Sequence, residues 1–500
     1  MTGPATDLAH LREHLGVIAD LEQALALLGW DQHTYMPAGG VEARGRQAAT
    51  LAGLRHEHLV DDRLHDLLGA LEAAPLSDDD AALVREARRD VDRARRMPAD
   101  LVTRLALQGA RGQAIWAQAR AADDFAAFAP ELRTAVALQR ERAAALGDGD
   151  PYDVLHDLYE RGSSAARVAE VFAPLRTEIK ALLDAVQGSD RAPDLDLLTR
   201  PVPEAAQEAV ALEVVRAFGF DFARGRLDRT VHPFAQRIGP GDVRITTRYR
   251  GDRFAMALFG TLHESGHGMY EQNLPAPEAR SPLGASVSLG VHESQSRLWE
   301  NLVGRGRPFW RWALPRLRAH APGVFDDVDV DRFVFAVNAV RPTLIRVEAD
   351  ELTYHLHVML RFELEQRLIS GALEVEDLPG AWAEESTALG LPAPPDDREG
   401  CLQDVHWSAG MFGYFPTYTL GTLLSVQLWD AMGRALPDRD ARIAAGDFAP
   451  VFEWLAANVH GHGSRFSPPE LVERATGGPL SADAYVRYAR AKYGALYGFA

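Results

Sequence analysis

The run from Gly260 to Gly268 holds the residues of this chain that could most directly do chemistry. Within it, His263, Glu264 and His267 form the pattern H-E-x-x-H. Residues four apart on a helix project from one face, so the two imidazoles could hold one zinc ion. Glu264 would stand beside that ion, placed to take a proton from a water molecule. These types and this spacing are those of a metallopeptidase core.

A catalytic zinc ion takes three protein ligands and leaves one position open. The best third ligand is Glu293, in the segment 291–299, which follows Gly290 and is predicted to be a second helix. Two alternatives stay open. His292 could be the ligand instead, or no ligand lies here and Glu293 forms an ion pair with Arg297, four residues on, at a helix surface.

Two further segments carry polar side chains that could bind or polarise a substrate. Arg346, in a helix predicted to run to about Leu368, could clamp a carboxylate through two hydrogen bonds, or it could form an ion pair with Asp350. A tyrosine or histidine downstream could donate to a developing oxyanion, or the polar residues there are ordinary buried ones. That second segment contains Gln403, Asp404, His406, Trp407, Tyr414 and Tyr418.

The elements that must position these residues are mainly helical. Apolar spacing predicts a helix over 254–274, and Gly266 and Gly268 within it indicate a close backbone approach or a kink. Gly239 to Asp242 is a turn signal, so segments 230–236 and 243–249 are predicted to form a β-hairpin. Its exposed edge could bind an extended peptide by main-chain pairing, or the hairpin is only structural.

Helical patterning covers most of the remaining chain. Breaks are predicted at Met97-Pro98 and Ala129-Pro130, and proline-rich loops at 191–204 and 391–400. We interpret the loops as lying within one large helical domain, residues 1–500, because candidate site residues lie on both sides of the second loop.

Composition excludes several classes of function. The chain has 500 residues, of which 47% are hydrophobic, a net charge of −18 and a pI near 5.4. Such acidity disfavours binding to nucleic acid or to an anionic membrane. Cys401 is the single cysteine, so no intrachain disulfide can form and a reducing cytoplasm is expected. The pattern of charged and apolar residues predicts neither a secretory signal nor a transmembrane segment.

A series of motifs in order along the chain resembles the carboxypeptidase Taq family of metallocarboxypeptidases. The resemblance covers nearly the whole sequence, and six ordered motifs are more specific than H-E-x-x-H alone. They are His232-Pro-Phe234, Asp242-Val-Arg244-Ile-Thr246, His263 to His267, His292-Glu-Ser-Gln295, Ile345-Arg346 with Ala349-Asp350, and Gly400 with Gln403-Asp404 and His406-Trp407.

The resemblance implies a mostly helical zincin-like fold with a long substrate groove. It implies zinc, with cobalt as a possible substitute, on His263, His267 and Glu293, and Glu264 as general base. It also implies a homodimer that removes C-terminal residues from peptides with broad preference. Within the single domain, residues 1–200 are a candidate cap over the groove and residues 228–420 the catalytic core.

The family motifs also assign roles around the substrate. Arg346 matches the arginine associated with the C-terminal carboxylate of the substrate. The remaining matches imply groove residues at His232, Arg244, Gln403 and His406. Tyr418 is the candidate oxyanion donor by analogy with related zincins, with His406 as the other candidate for that role.

The resulting hypothesis is a cytoplasmic zinc carboxypeptidase acting on peptides with a free C-terminus. One alternative is a metallo-oligopeptidase that cuts internally or releases dipeptides. An alternative of another class is a helical peptide-binding or scaffold protein with a vestigial metal site.

Overall fold

The computed structural model of the chain describes residues 3–499, and helices dominate it. Within these residues there are twenty α-helices and one three-stranded sheet. The predicted mainly α fold with a small sheet is therefore confirmed. Between residues 3 and 499, no helix combines the length and the apolar character needed to cross a bilayer.

Nine helices precede the sheet, and capping residues mark several of their starts. They are α1 (Pro4–Thr34), α2 (Val41–Val60), α3 (Asp62–Glu72), α4 (Asp78–Arg96), α5 (Ala99–Ala122), α6 (Phe125–Leu146), α7 (Pro151–His156), α8 (Ala165–Gln187) and α9 (Glu204–Phe218). The side chains of Ser77, Asp124 and Ser164 accept hydrogen bonds from the first turns of α4, α6 and α8.

Proline predicts one of the two expected helix breaks correctly. The break at Met97-Pro98 is confirmed, because α4 ends at Arg96 and α5 begins at Ala99. The break at Ala129-Pro130 is wrong, since Pro130 lies inside α6. The chain turns instead at Asp123, which adopts the left-handed conformation with φ of 55°. Near a helix start a proline removes only one helical hydrogen bond, a cost that packing can offset.

The sheet contains the predicted hairpin and one strand that was not predicted. Its strands are β1 (Gly225–Arg229), β2 (Ala235–Gly239) and β3 (Asp242–Thr247), in the order β1-β3-β2. β2 pairs with β3 antiparallel around Gly241, whose φ is 81°, and β1 pairs with β3 parallel. The first hairpin strand begins at Ala235 rather than at 230, because Pro233 cannot donate to a ladder.

Eleven helices follow the sheet. They are α10 (Phe254–Gln272), α11 (Leu289–Arg297), α12 (Arg307–His320), α13 (Val330–Val337), α14 (Tyr354–Ser370), α15 (Leu378–Ala388), α16 (Pro416–Ala435), α17 (Arg439–Ala445), α18 (Ala449–Asn458), α19 (Pro468–Thr476) and α20 (Asp483–Tyr497). A π-helical turn, Leu298–Val303, continues α11. The two helices predicted to carry the H-E-x-x-H pattern and Glu293 are thus α10 and α11.

The helix predicted to include Arg346 begins later than expected. Arg346 lies in a short 3₁₀ turn, Arg346–Glu348, and α14 starts at Tyr354. Asp350 separates the two, since its carboxylate accepts hydrogen bonds from the backbone N–H groups of Leu352 and Thr353 and so begins a new turn.

Buried apolar side chains form two separate cores. The larger one spans residues from Ala119 to Tyr497 and surrounds α10 and α11. The smaller one joins α1, α2, α3 and α4, with Leu283 as its contribution from the rest of the chain. A cavity of about 1010 Å³ lies between them, lined by α1, α4, β2 and residues 281–287. The assignment of residues 1–500 to one domain, with an N-terminal cap, stays a prediction.

Candidate metal centre

Helix α10 brings two imidazoles together. His263 and His267 lie one turn apart, and their Nε2 atoms are 3.2 Å from each other. Both side chains are largely buried. Burial and the neighbouring His292 lower the pKa of His267 to about 3, so its ring is neutral and keeps a lone pair for a metal.

The third donor comes from α11. Oε2 of Glu293 lies 3.6 Å from Nε2 of His263 and 3.4 Å from Nε2 of His267. These are the only three His, Cys, Asp or Glu side chains in residues 3–499 whose donor atoms converge, all within 4.8 Å. His292 is turned away, with Nε2 2.8 Å from a carboxylate oxygen of Glu271. Two nitrogens and one carboxylate oxygen are a donor set that fits a catalytic zinc ion.

A second layer of charged side chains holds these donors. Arg297 donates to Oε1 of Glu293 at 2.6 Å, which leaves Oε2 facing the histidines. Glu300 lies 3.0 Å from Nδ1 of His263, the nitrogen remote from the donor group. The predicted ion pair of Glu293 with Arg297 therefore exists, but it is buried and supports the ligand position.

Glu300 was not predicted as a site residue, although its spacing from Glu293 is a signal in the sequence. It follows Glu293 by seven residues, so a continuous helix places both carboxylates on one face. Burial alone would raise the pKa of Glu300, but Arg297 and His263 outweigh it and lower that pKa to about 2. The carboxylate is thus charged and orients the imidazole of His263.

Close backbone approach keeps α10, α11 and α16 together, as the glycines in α10 predicted. A Cβ atom on Gly266 would lie 2.6 Å from the carbonyl oxygen of Gln295. A Cβ on Gly421 in α16 would lie 2.6 Å from Cβ of Glu293. No local pattern in the sequence distinguishes Gly421 from other glycines.

Replacing Gly421 with alanine is expected to destabilise the protein by about 1–3 kcal/mol, because an added methyl group cannot fit against Glu293. Zinc affinity should fall as well, since Glu293 must shift. Denaturant titration and zinc titration measure the two effects. Gly380→Ala is the control, because Gly380 lies in α15 with no atom near its added methyl group. Equal stability and zinc affinity of the Gly421 variant and wild type would contradict the packing argument.

Glu264 lies beside the three donors and is buried, with 7% of its surface exposed. Burial raises the pKa of its carboxyl group to about 7; His263 opposes this shift and the charge of Glu293 adds to it. A carboxylate with a pKa near neutrality can accept a proton and return it within one reaction.

An aromatic cluster lies between α16 and the segment before it. Nε2 of His406 is 3.1 Å from the hydroxyl of Tyr418, and the rings of Tyr414 and Tyr418 are 5.3 Å apart. Burial and Arg346 lower the pKa of His406 to about 3, so this imidazole is neutral. The ring of Tyr418 lies 4.9 Å from the guanidinium carbon of Arg346. The predicted oxyanion-donor residues and the predicted carboxylate clamp are therefore neighbours.

Arg346 pairs with Asp404 rather than with Asp350, so that predicted alternative is wrong. Its Nε and Nη2 donate to one oxygen of Asp404 at 3.0 and 2.7 Å, and Arg361 donates to the other at 2.6 Å. Two buried guanidinium groups thus face one carboxylate, and burial with Arg346 lowers the pKa of Arg361 to about 10. The cluster keeps one positive charge that a substrate carboxylate could neutralise.

The other predicted groove residues occupy different positions. The amide of Gln403 accepts from the backbone N–H of Arg346 at 2.9 Å and donates to the carbonyls of Leu344 and Glu399. Arg244 in β3 pairs with Asp242, and its guanidinium carbon lies 4.1 Å from the ring of Trp30. His232 lies in the exposed bend that precedes β2.

Two side chains connect the wall of the cavity with the metal donors, although none of the donors lines the cavity itself. Gln236 and Arg237 of the edge strand β2 line it, together with Glu271. Glu271 binds His292, whose ring stacks on that of His267 with centroids 4.4 Å apart. The edge strand β2 thus borders the cavity, and Glu271 and His292 separate the cavity from His267.

Known proteins are similar to this chain along nearly its whole length. A profile of the carboxypeptidase Taq (M32) metallopeptidase family matches residues 10–493. Thermostable carboxypeptidase 1 of Thermus thermophilus is 47% identical over 99% of this chain and 100% of its own length. Carboxypeptidase 1 of Bacillus subtilis is 37% identical over 96% of each chain. The crystal structure of an M32 carboxypeptidase from Deinococcus radiodurans R1 has a TM-score of 0.95 and 44% identity, covering 99% of this chain and 100% of that one.

Proposed function

This chain belongs to the carboxypeptidase Taq (M32) family of metallopeptidases, and from that premise we propose that it removes single residues from the free C-termini of peptides, with broad preference. The carboxypeptidase class predicted from the sequence is confirmed by this membership. The observation that carries the proposed mechanism is the convergence of His263, His267 and Glu293 beside the buried Glu264.

We propose zinc as the metal held by His263, His267 and Glu293, with cobalt as a possible substitute. A bound zinc ion would supply Lewis-acid chemistry, polarising a carbonyl oxygen and a water molecule. The protein supplies what surrounds it. Glu300 orients His263, and Arg297 keeps Glu293 charged and directed at the histidines.

Glu264 is proposed as the general base. Its carboxylate takes a proton from the attacking water and passes that proton to the nitrogen of the leaving amino acid. Its raised pKa suits both transfers, because a strongly acidic carboxyl group would hold the proton too weakly to collect it.

Tyr418 and His406 are proposed to stabilise the negative charge that develops on the scissile carbonyl oxygen. The hydroxyl of Tyr418 is a donor, and the neutral His406 at 3.1 Å fixes its direction. Tyr414 is packed against both rings and is a second candidate donor.

Arg346 is proposed to bind the C-terminal carboxylate of the substrate. The surplus positive charge shared by Arg346, Arg361 and Asp404 supports this role, because a buried cationic cluster gains from one more anion. Gln403 acts on the same site indirectly, by holding the backbone of Arg346.

The peptide upstream of the cleaved bond is proposed to lie in the cavity between the two cores. β2 is an edge strand there, so its free main-chain groups could pair with an extended substrate. His232 and Arg244 belong to the same sheet region and are proposed to contact that part of the peptide. We also propose a homodimer, on the basis of the family resemblance. A cytoplasmic location is proposed because Cys401 is the single cysteine and is unpaired.

One peptide pair tests the proposed function. Zinc-loaded protein is incubated with two peptides that are identical except for a free or an amidated C-terminus, and mass spectrometry follows the products. We expect stepwise loss of single residues from the free acid and little reaction of the amide, because only the acid can neutralise the cluster around Arg346. Internal cleavage of both peptides, or release of dipeptides, would instead establish the oligopeptidase alternative.

A further inference from the structure

A second buried carboxylate lies outside the metal centre, on α14. The side chain of Glu365 is fully buried and accepts three hydrogen bonds. The indole N–H of Trp407 donates to Oε1 at 2.9 Å. The backbone N–H of Gly413 and the hydroxyl of Tyr152 both donate to Oε2 at 3.1 Å. No part of the mechanism above uses this carboxylate.

Two of these three donors bracket one short segment of chain. Trp407 directly follows His406, and Gly413 directly precedes Tyr414. Glu365 therefore binds both ends of the segment 407–413. This segment separates His406 from Tyr414 and Tyr418 along the chain. These two hydrogen bonds fix the chain next to His406 at one end of the segment and next to Tyr414 at the other.

Gly413, at the C-terminal end of the segment, is also in close contact with α7. The carbonyl of Gly413 lies 2.7 Å from Nδ1 of His156 on α7. Gly413 has a φ of 82°, and a Cβ atom there would lie 2.7 Å from the backbone nitrogen of His156. Glycine is required at this position both by conformation and by space. Tyr152, the third donor to Glu365, belongs to the same short helix.

Burial raises the pKa of Glu365 to about 8, although its three donors oppose that shift. Burying a carboxyl group costs stability, and an apolar side chain would fill the same space at lower cost. A fully satisfied buried polar network instead selects one arrangement of the groups it joins. The arrangement selected here is that of the backbone on either side of His406 and Tyr414.

We propose that Glu365 is a positioning residue for peptide hydrolysis, acting through Trp407 and Gly413 on His406, Tyr414 and Tyr418. This inference rests on the proposed function, because it assigns these three residues to the stabilisation of the transition state. Glu365 does not touch the substrate. It sets where the hydroxyl and imidazole donors stand relative to the scissile carbonyl.

The test compares Glu365→Gln with wild type on the free-acid peptide above pH 8, where the carboxyl group of the wild type is charged. Glutamine keeps one acceptor oxygen and replaces the other with an NH₂ group. That NH₂ group must face at least one of the donors that now bind an oxygen, so the segment 407–413 shifts. We expect kcat to fall by about tenfold to a hundredfold, since small misplacement of catalytic groups is enough for such a loss. KM should change by less than about threefold and zinc content should not change, because neither Arg346 nor the metal donors contact Glu365.

Glu131→Gln is the matched control. Glu131 is also a buried carboxylate, but it lies on α6 and pairs with Arg111. A transition-state analogue with a tetrahedral phosphinic group gives a second readout. Its affinity should fall in parallel with kcat/KM in Glu365→Gln, whereas a merely structural loss would lower the active fraction without changing affinity.

Tyr152→Phe keeps the proposal testable if Glu365→Gln fails to fold. It removes one donor to Glu365 and keeps the ring, so a smaller fall in kcat is expected. Where both variants fold, their effects should be non-additive in the double variant. Unchanged kcat in Glu365→Gln, or in Tyr152→Phe where only that variant folds, would overturn the positioning role. A wild-type protein that hydrolyses neither peptide would refute the proposed function itself, and the positioning role with it.

Discussion

Replacing Glu264 with glutamine is expected to lower kcat by about a thousandfold while zinc remains bound. Glutamine has nearly the same shape, so the packing around the buried side chain is kept. It cannot accept a proton, however, and so it can neither activate the water nor protonate the leaving amine. His263, His267 and Glu293 are unchanged, and Arg297 still donates to Oε1 of Glu293 at 2.6 Å, so Oε2 still faces the two histidines.

The measurement combines zinc stoichiometry with single-turnover kinetics, which separate chemistry from product release. The transition-state analogue should still bind, since the metal donors and the aromatic cluster are intact. The buried carboxylate variant Glu131→Gln is again the control. Retention of more than about a tenth of wild-type kcat by Glu264→Gln would remove Glu264 from the role of general base.

Replacing Arg346 with methionine is expected to raise KM for free-acid peptides about a hundredfold, which corresponds to about 2.7 kcal/mol of binding free energy. The variant removes the surplus positive charge near Tyr418. It does not leave a buried charge unpaired, because Arg361 still donates to Asp404 at 2.6 Å. The protein should therefore fold, and kcat should fall much less than KM rises.

Arg361→Met is the matched control for this prediction. It removes the other guanidinium from the same carboxylate, so the charge of the cluster changes equally. If Arg346 itself contacts the substrate, only Arg346→Met should abolish the preference for the free acid over the amide. Equal loss in both variants would mean that the charge balance of the cluster matters and not the contact. An unchanged KM in Arg346→Met would exclude Arg346 from the carboxylate site.

The parts of the site that depend on local sequence could be predicted. His263, Glu264 and His267 lie within one helical turn, so periodicity alone places them together. Gly266 indicated a close approach because a glycine inside a helix is costly unless something needs the space. The turn at Gly241 likewise follows from short-range chemistry.

The rest depends on pairings between distant segments, which no local pattern encodes. Arg346 and Asp404 are 58 residues apart, and the helical spacing indicated only the nearer Asp350 as a partner. Strand β1, Gly225–Arg229, is rich in charged residues and has no β-branched residue, so only its pairing with β3 makes it a strand. Propensity is a weak signal wherever tertiary contacts decide the outcome.

Gly421 is a position beside the proposed metal donors where even a methyl group has no room. The metal donors are kept in place by the distance between helix backbones, because Gly266 and Gly421 leave no room for side chains. Side chains can adjust their rotamers after a substitution, whereas two backbones in contact cannot. A position with no reactive group of its own is therefore sensitive to any larger side chain, and a search for sensitive sites that considers only reactive residues would miss it.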